Sequence, residues 1–141
     1  MKLILTILIL FLSSGVQPVH SQGFDNLVIL ANQQRAIYKE RPLYEDYRLD
    51  RVAQTKACDM YNNHYWSHYD LQGRAPWHLY YENGYYFRWA GETLARDYFT
   101  DQAVINAWMA SPTHRAIILD YRPRAMGVGR CGDIVAAEYG S

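Results

Sequence analysis

A serine-proline pair at positions 111 and 112 divides the stretch 101–119 into two helices, which limits how this part of the chain can pack. Before the pair, apolar residues recur at the spacing of one buried helix face: Val104, Ile105 and Trp108. Serine is a favoured N-cap residue, and a proline at the first helical position gives up no hydrogen bond, so a second helix is expected from Pro112. His114 lies in its first turn. It is either an ordinary residue of that turn or part of a site, and both interpretations stay open on this stretch alone.

Two longer helices are predicted earlier in the chain. The first spans 24–40 and ends before Pro42, because the residue preceding a proline avoids helical backbone. The second spans 45–66, contains neither glycine nor proline, and presents one apolar face to the core. That face consists of Leu49, Val52, Ala53, Ala57 and Met60. His64 would extend it by one turn, and His68 is expected just beyond the helix end.

Shorter elements follow. A helix over 77–83 would be closed by Gly84 in left-handed backbone, and the aromatic segment 85–90 is expected to form a strand or an extended segment. Two late strands, 124–130 and 134–139, would pair antiparallel through a glycine-aspartate turn. Helices early and strands late indicate an α+β domain.

The first 21 residues are predicted to be a secretory signal peptide. Lys2 precedes an apolar run over 3–12, and small or polar residues follow through Ser21. A run of ten residues, interrupted by Thr6, is too short to span a bilayer as a helix. Cleavage near Gln22 would leave 22–141, the size of one domain. We therefore expect a secreted protein with no membrane anchor after cleavage.

The charge balance argues against a nucleic-acid partner. The chain has 14 basic and 14 acidic residues. Binding to a phosphate backbone requires a basic stripe, which a near-neutral chain does not supply.

Seven short motifs occur in a fixed order along the chain after the signal peptide. They are Asn32 with Arg35, Pro42-Leu43, Trp66-Ser67-His68, Gly84-Tyr85, Gly91-Glu92, Ser111-Pro112-Thr113-His114 and Gly127-Val128-Gly129. This order resembles the CAP superfamily (also called SCP), which includes cysteine-rich secretory, venom-antigen and plant pathogenesis-related proteins, and above all its short secreted bacterial branch. The resemblance implies a CAP domain over 22–141, with the fold of an α–β–α sandwich whose small antiparallel sheet lies between helices.

The resemblance also implies a cleft with His68 and Glu92, while His114 matches the Ser-Pro-x-His motif of the bacterial branch. Two departures from the family pattern are visible. Thr93 stands where the family usually has asparagine, so any hydrogen bond made by that amide must be lost or replaced by one from a hydroxyl. The further glutamate and histidine that eukaryotic members carry in this cleft have no counterpart in this chain. The resemblance therefore assigns only three residues to the cleft: His68, Glu92 and His114.

Two imidazoles and one carboxylate have a chemistry that suits a divalent metal. His68 and His114 would bind zinc with a position left open for water, although no cofactor is required. The alternative is a hydrolase that uses His68, Glu92 and His114 on a peptide or cell-wall substrate, through a bound water or metal. A third interpretation is a structural clasp in which Glu92 bridges both rings. Because the second glutamate and the asparagine are missing, we expect a binding module, not an enzyme, whose extracellular ligand is a lipid, a peptide or a wall polymer.

Cys58 and Cys131 are the only two cysteines. In a sandwich the second helix packs on the late strands, so a disulfide between them is one interpretation in an exported protein. Cys58 lies off the apolar face of its helix, and two buried thiols are the other interpretation.

Overall fold

The computed structural model describes residues 25–141, which form five helices and four strands. The helices are α1 (Asp25–Ile37), α2 (Tyr47–Asn62), α3 (Trp77–Glu82), α4 (Asp101–Ala110) and α5 (Pro112–Ile118). The strands are β1 (Tyr44–Glu45), β2 (Ala90–Arg96), β3 (Ala125–Cys131) and β4 (Ile134–Gly140). The predicted signal peptide lies outside the described residues. Across 25–141, none of the helices combines the length and the apolar character that crossing a membrane requires.

The four strands form one sheet in the order β1-β3-β4-β2. The predicted hairpin is confirmed, since β3 pairs antiparallel with β4 and Gly132 in the turn has a positive φ of 57°. Strand β2 pairs antiparallel with the other side of β4. One feature differs from the predicted antiparallel sheet, namely the short β1, which runs parallel to β3. Strand β2 begins at Ala90, after the aromatic segment 85–89.

The sheet lies between two helical layers, as the alternation of side chains along the strands shows. Val135 and Ala137 of β4 pack in one cluster with Trp108 of α4 and residues of α1 and α5. Their neighbours Ile134 and Ala136 belong to a second cluster with α2. Successive strand residues point to opposite faces, so α2 covers one face and α1, α4 and α5 cover the other. The predicted α–β–α sandwich is confirmed.

Helix α2 lies directly on β3 because two glycines leave room for its backbone. A Cβ added to Gly127 would be 2.2 Å from the backbone nitrogen of Asp50, and one added to Gly129 would be 2.1 Å from that of Gln54. Any larger residue at either position would therefore push the helix off the sheet. This close approach explains the Gly-Val-Gly motif and fixes the height of α2 above the strands.

The predicted ends of the two longer helices were too late. Helix α2 stops at Asn62, and His64 follows in left-handed backbone with φ 55°. Helix α1 stops at Ile37, and Lys39 adopts φ 61°. In each case the next amide closes the helix by a bond to a carbonyl five residues back, from Tyr65 to Met60 and from Glu40 to Arg35. These are Schellman endings built without glycine, so His64 does not extend the apolar face of α2.

A disulfide joins Cys58 of α2 to Cys131 at the end of β3, with the two Cα atoms 4.9 Å apart. Of the two interpretations of the cysteines, the bridge is confirmed and the pair of buried thiols is wrong. The bond links the outer helical layer to the sheet at the hairpin end.

Candidate functional site

His68 lies in the loop after α2, and a buried lysine holds its backbone in place. Lys56 of α2 is only 2% exposed, and its Nζ donates to the carbonyl oxygens of Ser67 at 2.7 Å and His68 at 3.0 Å. A buried ammonium requires such partners, and here it finds them in the loop. The prediction that His68 follows the helix is therefore confirmed, and its position depends on α2 through Lys56.

The His68 ring is paired with the carboxylate of Glu92. Its Nδ1 lies 2.5 Å from Glu92 Oε1, with the histidine side chain 54% exposed and the glutamate side chain only 2% exposed. An ionised carboxylate only accepts hydrogen bonds, so Nδ1 carries the proton and donates it to Glu92. In the neutral ring this tautomer leaves the lone pair on Nε2.

His114 shares a cavity with His68. The cavity has a volume of about 400 Å³, and its lining also includes Trp66, Tyr69 and Leu94. A second cavity of about 360 Å³ is lined by His68, Glu92 and Ile117, among others. Both cavities border the edge strand β2, where the loop after α2 meets α5. The structure thus brings the histidine rings of two sequence-distant segments to one cleft.

The surroundings of His114 favour its neutral form. Burial lowers the pKa of its imidazole below the ordinary value, and the charge of His68 lowers it further. Burial acts in this direction because the charged ring loses hydration that the neutral ring does not need. A neutral imidazole has a lone pair available, and that is the form that binds divalent metals.

Three polar residues near the site escaped the sequence-based prediction. They are Lys56, Glu138 and Tyr80, and each has a buried side chain. Glu138 of β4 stands opposite Glu92 of β2 in the strand register, and the hydroxyl of Tyr80 donates to Glu138 Oε2 at 2.8 Å. Burial raises the pKa of Glu138 well above its usual range, and the neighbouring Glu92 raises it further. One signal was available, because Glu138 is the only charged residue in the otherwise apolar segment 134–140.

Thr93 and Ser67 form hydrogen bonds that stabilise the fold near the cleft. Thr93 is fully buried, and its hydroxyl lies 3.3 Å from the hydroxyl of Tyr139, so a hydroxyl occupies the place where the family usually has an amide. The Ser67 hydroxyl accepts a hydrogen bond from the backbone N–H of Tyr69 at 3.0 Å. This bond closes a local turn of the type that serines often form.

His64 does not join His68. It lines a separate cavity of about 480 Å³ near Tyr61, Arg96 and Asp133, beyond the end of α2. The two histidines would face one metal only on a continuous helix, and the helix ends before either of them.

Among the side chains of the cleft, the imidazoles of His68 and His114 have the chemistry of divalent-metal ligands. Glu92 Oε1 is engaged by His68, and Glu92 Oε2 is buried from solvent. Among residues 25–141, no group of three or more His, Cys, Asp or Glu side chains is arranged to hold a metal ion. The protein would therefore supply His68 and His114, and water would complete the coordination.

Comparisons with known proteins agree with this architecture. Residues 28–133 match the model of the cysteine-rich secretory protein family, CAP. The chain is 32% identical over 113 residues to YkwD, an uncharacterized protein of Bacillus subtilis strain 168. The aligned region covers 79% of this chain and 44% of YkwD, so the chain spans less than half the length of that relative.

Solved structures show the same fold. An extracellular SCP-domain protein from Bacillus anthracis superimposes with a TM-score of 0.80 at 23% identity, over 83% of this chain and 39% of that one. An outer surface protein from Borrelia burgdorferi gives a TM-score of 0.76 at 24% identity, over 82% of this chain and 90% of that one. The family match extends from α1 to the β3–β4 turn and includes all three predicted site residues. The chain therefore belongs to the cysteine-rich secretory protein family, CAP.

Proposed function

We propose that this protein is an extracellular metal-binding module whose cleft holds a divalent cation such as zinc between His68 and His114. The observation that carries the proposal is the hydrogen bond from His68 Nδ1 to the buried Glu92, beside a cavity that His114 also lines. A carboxylate behind a ligating histidine fixes its tautomer and raises its basicity as a ligand. When bound, the metal would supply a positive centre with open positions for water or for an anionic ligand group.

The cavities beside the histidines suit an organic ligand with apolar parts. Trp66, Tyr69 and Trp77 contribute aromatic surface to them, and Ile117 and Leu94 contribute aliphatic surface. A lipid, a peptide or a wall polymer with an anionic group could bind there next to the metal. Zinc binding is the property to test first, because it depends on two identified side chains, His68 and His114.

Calorimetric titration of the metal-free protein with zinc chloride near neutral pH tests the proposal. We expect one binding site per chain. His68→Ala and His114→Ala should each weaken zinc binding by about tenfold or more, since removing a ligand costs at least as much as removing a supporting group. Because His68 is more than half exposed, its removal should change the melting temperature by only a few degrees.

His64→Asn is the matched control. It removes an exposed histidine from a different cavity, and asparagine tolerates the left-handed backbone at this position. This variant should bind zinc as the wild type does. An absence of zinc binding to the wild type, or an equal loss in His64→Asn and His68→Ala, would rule the cleft out as a metal site.

We also propose that the protein is exported. The predicted leader over 1–21 supports this, as do two structural relatives described as extracellular and as an outer surface protein. The disulfide adds support, because such bonds form and persist in oxidising compartments. N-terminal sequencing of protein recovered from outside the cytoplasm should give a start near Gln22. Recovery of only the uncleaved chain, inside the cell, would contradict export.

A further inference from the structure

A second glutamate lies directly behind the one that holds His68. Glu138 of β4 and Glu92 of β2 are register partners in the antiparallel pair. Residues directly opposite each other in such a pair place their side chains on the same face, within contact distance. Glu138 is fully buried and Glu92 is 4% exposed, and the neighbouring Glu92 carboxylate helps to raise the pKa of Glu138.

The hydrogen bonds around the two carboxyl groups leave one oxygen on each without another donor. Glu92 Oε1 takes the His68 ring, and Glu138 Oε2 takes the Tyr80 hydroxyl. Within the described part of the chain, no other donor reaches the buried Glu92 Oε2 or Glu138 Oε1. Two ionised carboxylates would leave both oxygens unsatisfied and would repel each other in a site without water. A single proton shared between the two carboxyl groups would satisfy both oxygens.

Geometry indicates which of the two groups would carry that proton. Glu92 already accepts a hydrogen bond from His68 Nδ1, whereas Glu138 is fully buried and has no solvent contact. The other groups that face Glu138 are the Tyr80 hydroxyl and the Lys56 ammonium. Lys56 gives hydrogen bonds to the carbonyl oxygens of the His68 loop, so its charge acts on Glu138 only from a distance.

We propose that Glu138 is a positioning residue for the His68 site: its protonated carboxyl group donates to Glu92 Oε2 and thereby holds Glu92 as the ionised acceptor of the His68 Nδ1–H. The chain of contacts then runs from Tyr80 through Glu138 and Glu92 to the ring in the cleft. Its effect is to keep His68 in one tautomer, with Nε2 free for a ligand. The part of the inference that concerns metal affinity rests on the proposed function, whereas the tautomer does not.

Three variants separate this role from simple packing. Glu138→Gln keeps a donor for Glu92 and an acceptor for Tyr80, whereas Glu138→Leu removes both at nearly constant volume. Thr93→Val is the matched control. It removes another buried hydrogen-bonding group from β2, on the opposite face of the sheet from Glu92.

The measurement is nitrogen-15 NMR of the His68 ring in the metal-free protein near neutral pH. The wild type, Glu138→Gln and Thr93→Val should show a protonated Nδ1 with a slowly exchanging proton. Glu138→Leu should lose that slow exchange and shift towards a mixture of tautomers. Zinc affinity should fall by about tenfold in Glu138→Leu and stay near the wild-type value in Glu138→Gln.

A folded Glu138→Leu variant with an unchanged His68 tautomer would overturn the inference. If that variant does not fold, the carbon-13 shift of the Glu138 carboxyl group in the wild type decides the matter. A protonated shift near neutral pH supports the inference, and an ionised one contradicts it. If zinc does not bind but the tautomer responds as expected, the proposed function fails and the inference about Glu138 stands.

Discussion

Loss of the Cys58–Cys131 disulfide is expected to lower the free energy of unfolding by about 4 kcal/mol. The bond joins residues 73 positions apart, so it closes a long loop in the unfolded chain and reduces the entropy of that state. A domain of this size is stable by only about 5–15 kcal/mol, so the bridge accounts for a large part of the total.

Urea unfolding with and without reductant measures this effect. The reduced wild type keeps both sulfur atoms in the fold, so it separates the cross-link from the packing of the side chains. Cys58→Ala combined with Cys131→Ala should be destabilised at least as much as the reduced protein. A loss below about 1 kcal/mol in both would contradict the expected entropic role of the bond.

Replacement of Trp108 by alanine should cost about 4 kcal/mol of stability. The ring is 1% exposed at the centre of the largest core cluster, and its Nε1 donates to the carbonyl oxygen of Leu94 at 2.9 Å. Alanine would leave a cavity in a core that cannot fully collapse, together with a buried carbonyl oxygen that lacks its donor.

Thermal and urea unfolding of three variants test this prediction. Trp108→Phe keeps most of the buried ring but loses the bond to Leu94, so its loss should be smaller, about 1–2 kcal/mol. Phe99→Ala is the control, because this large aromatic side chain is 93% exposed, and its removal should stay within about 0.5 kcal/mol. Equal losses in Trp108→Ala and Phe99→Ala would show that α4 is not anchored through Trp108.

Helix ends show which part of the fold could be predicted from the sequence. The end of α3 was predicted because Gly84 occupies the left-handed position, with φ 71°. Helices α1 and α2 end by the same backbone motif, but Lys39 and His64 occupy that position. A residue with a Cβ gives no local signal for left-handed backbone, so both helices were predicted too long.

Some residues of the site could be predicted from the sequence, whereas the contacts that position them could not. The motifs identified His68, Glu92 and His114, and the structure joins the first two by a hydrogen bond and places the third on the same cavity as His68. Local sequence does not reveal that Glu92 faces Glu138, because that contact depends on the register of β2 against β4. Nor does it show that Lys56 holds the His68 loop, since this requires the backbone path after α2.

No sequence pattern predicts the short parallel pairing of β1 with β3 either. It covers two residues on each strand and leaves no alternation to detect. Its position depends on the α1–α2 connection, where the amide side chain of Asn32 bonds both the N–H and the carbonyl oxygen of Leu43 at 2.8 Å. That contact gives a structural role to two of the residues in the recognised motifs.

A crystal structure of the protein grown with zinc, with the metal located by its anomalous scattering, shows whether His68 and His114 hold the ion together. We predict one zinc peak in the cleft, about 2.1 Å from Nε2 of His68 and from one ring nitrogen of His114, with Glu92 still bonded to His68 Nδ1. A zinc ion bound elsewhere, or the two rings held too far apart to share one ion, would contradict it.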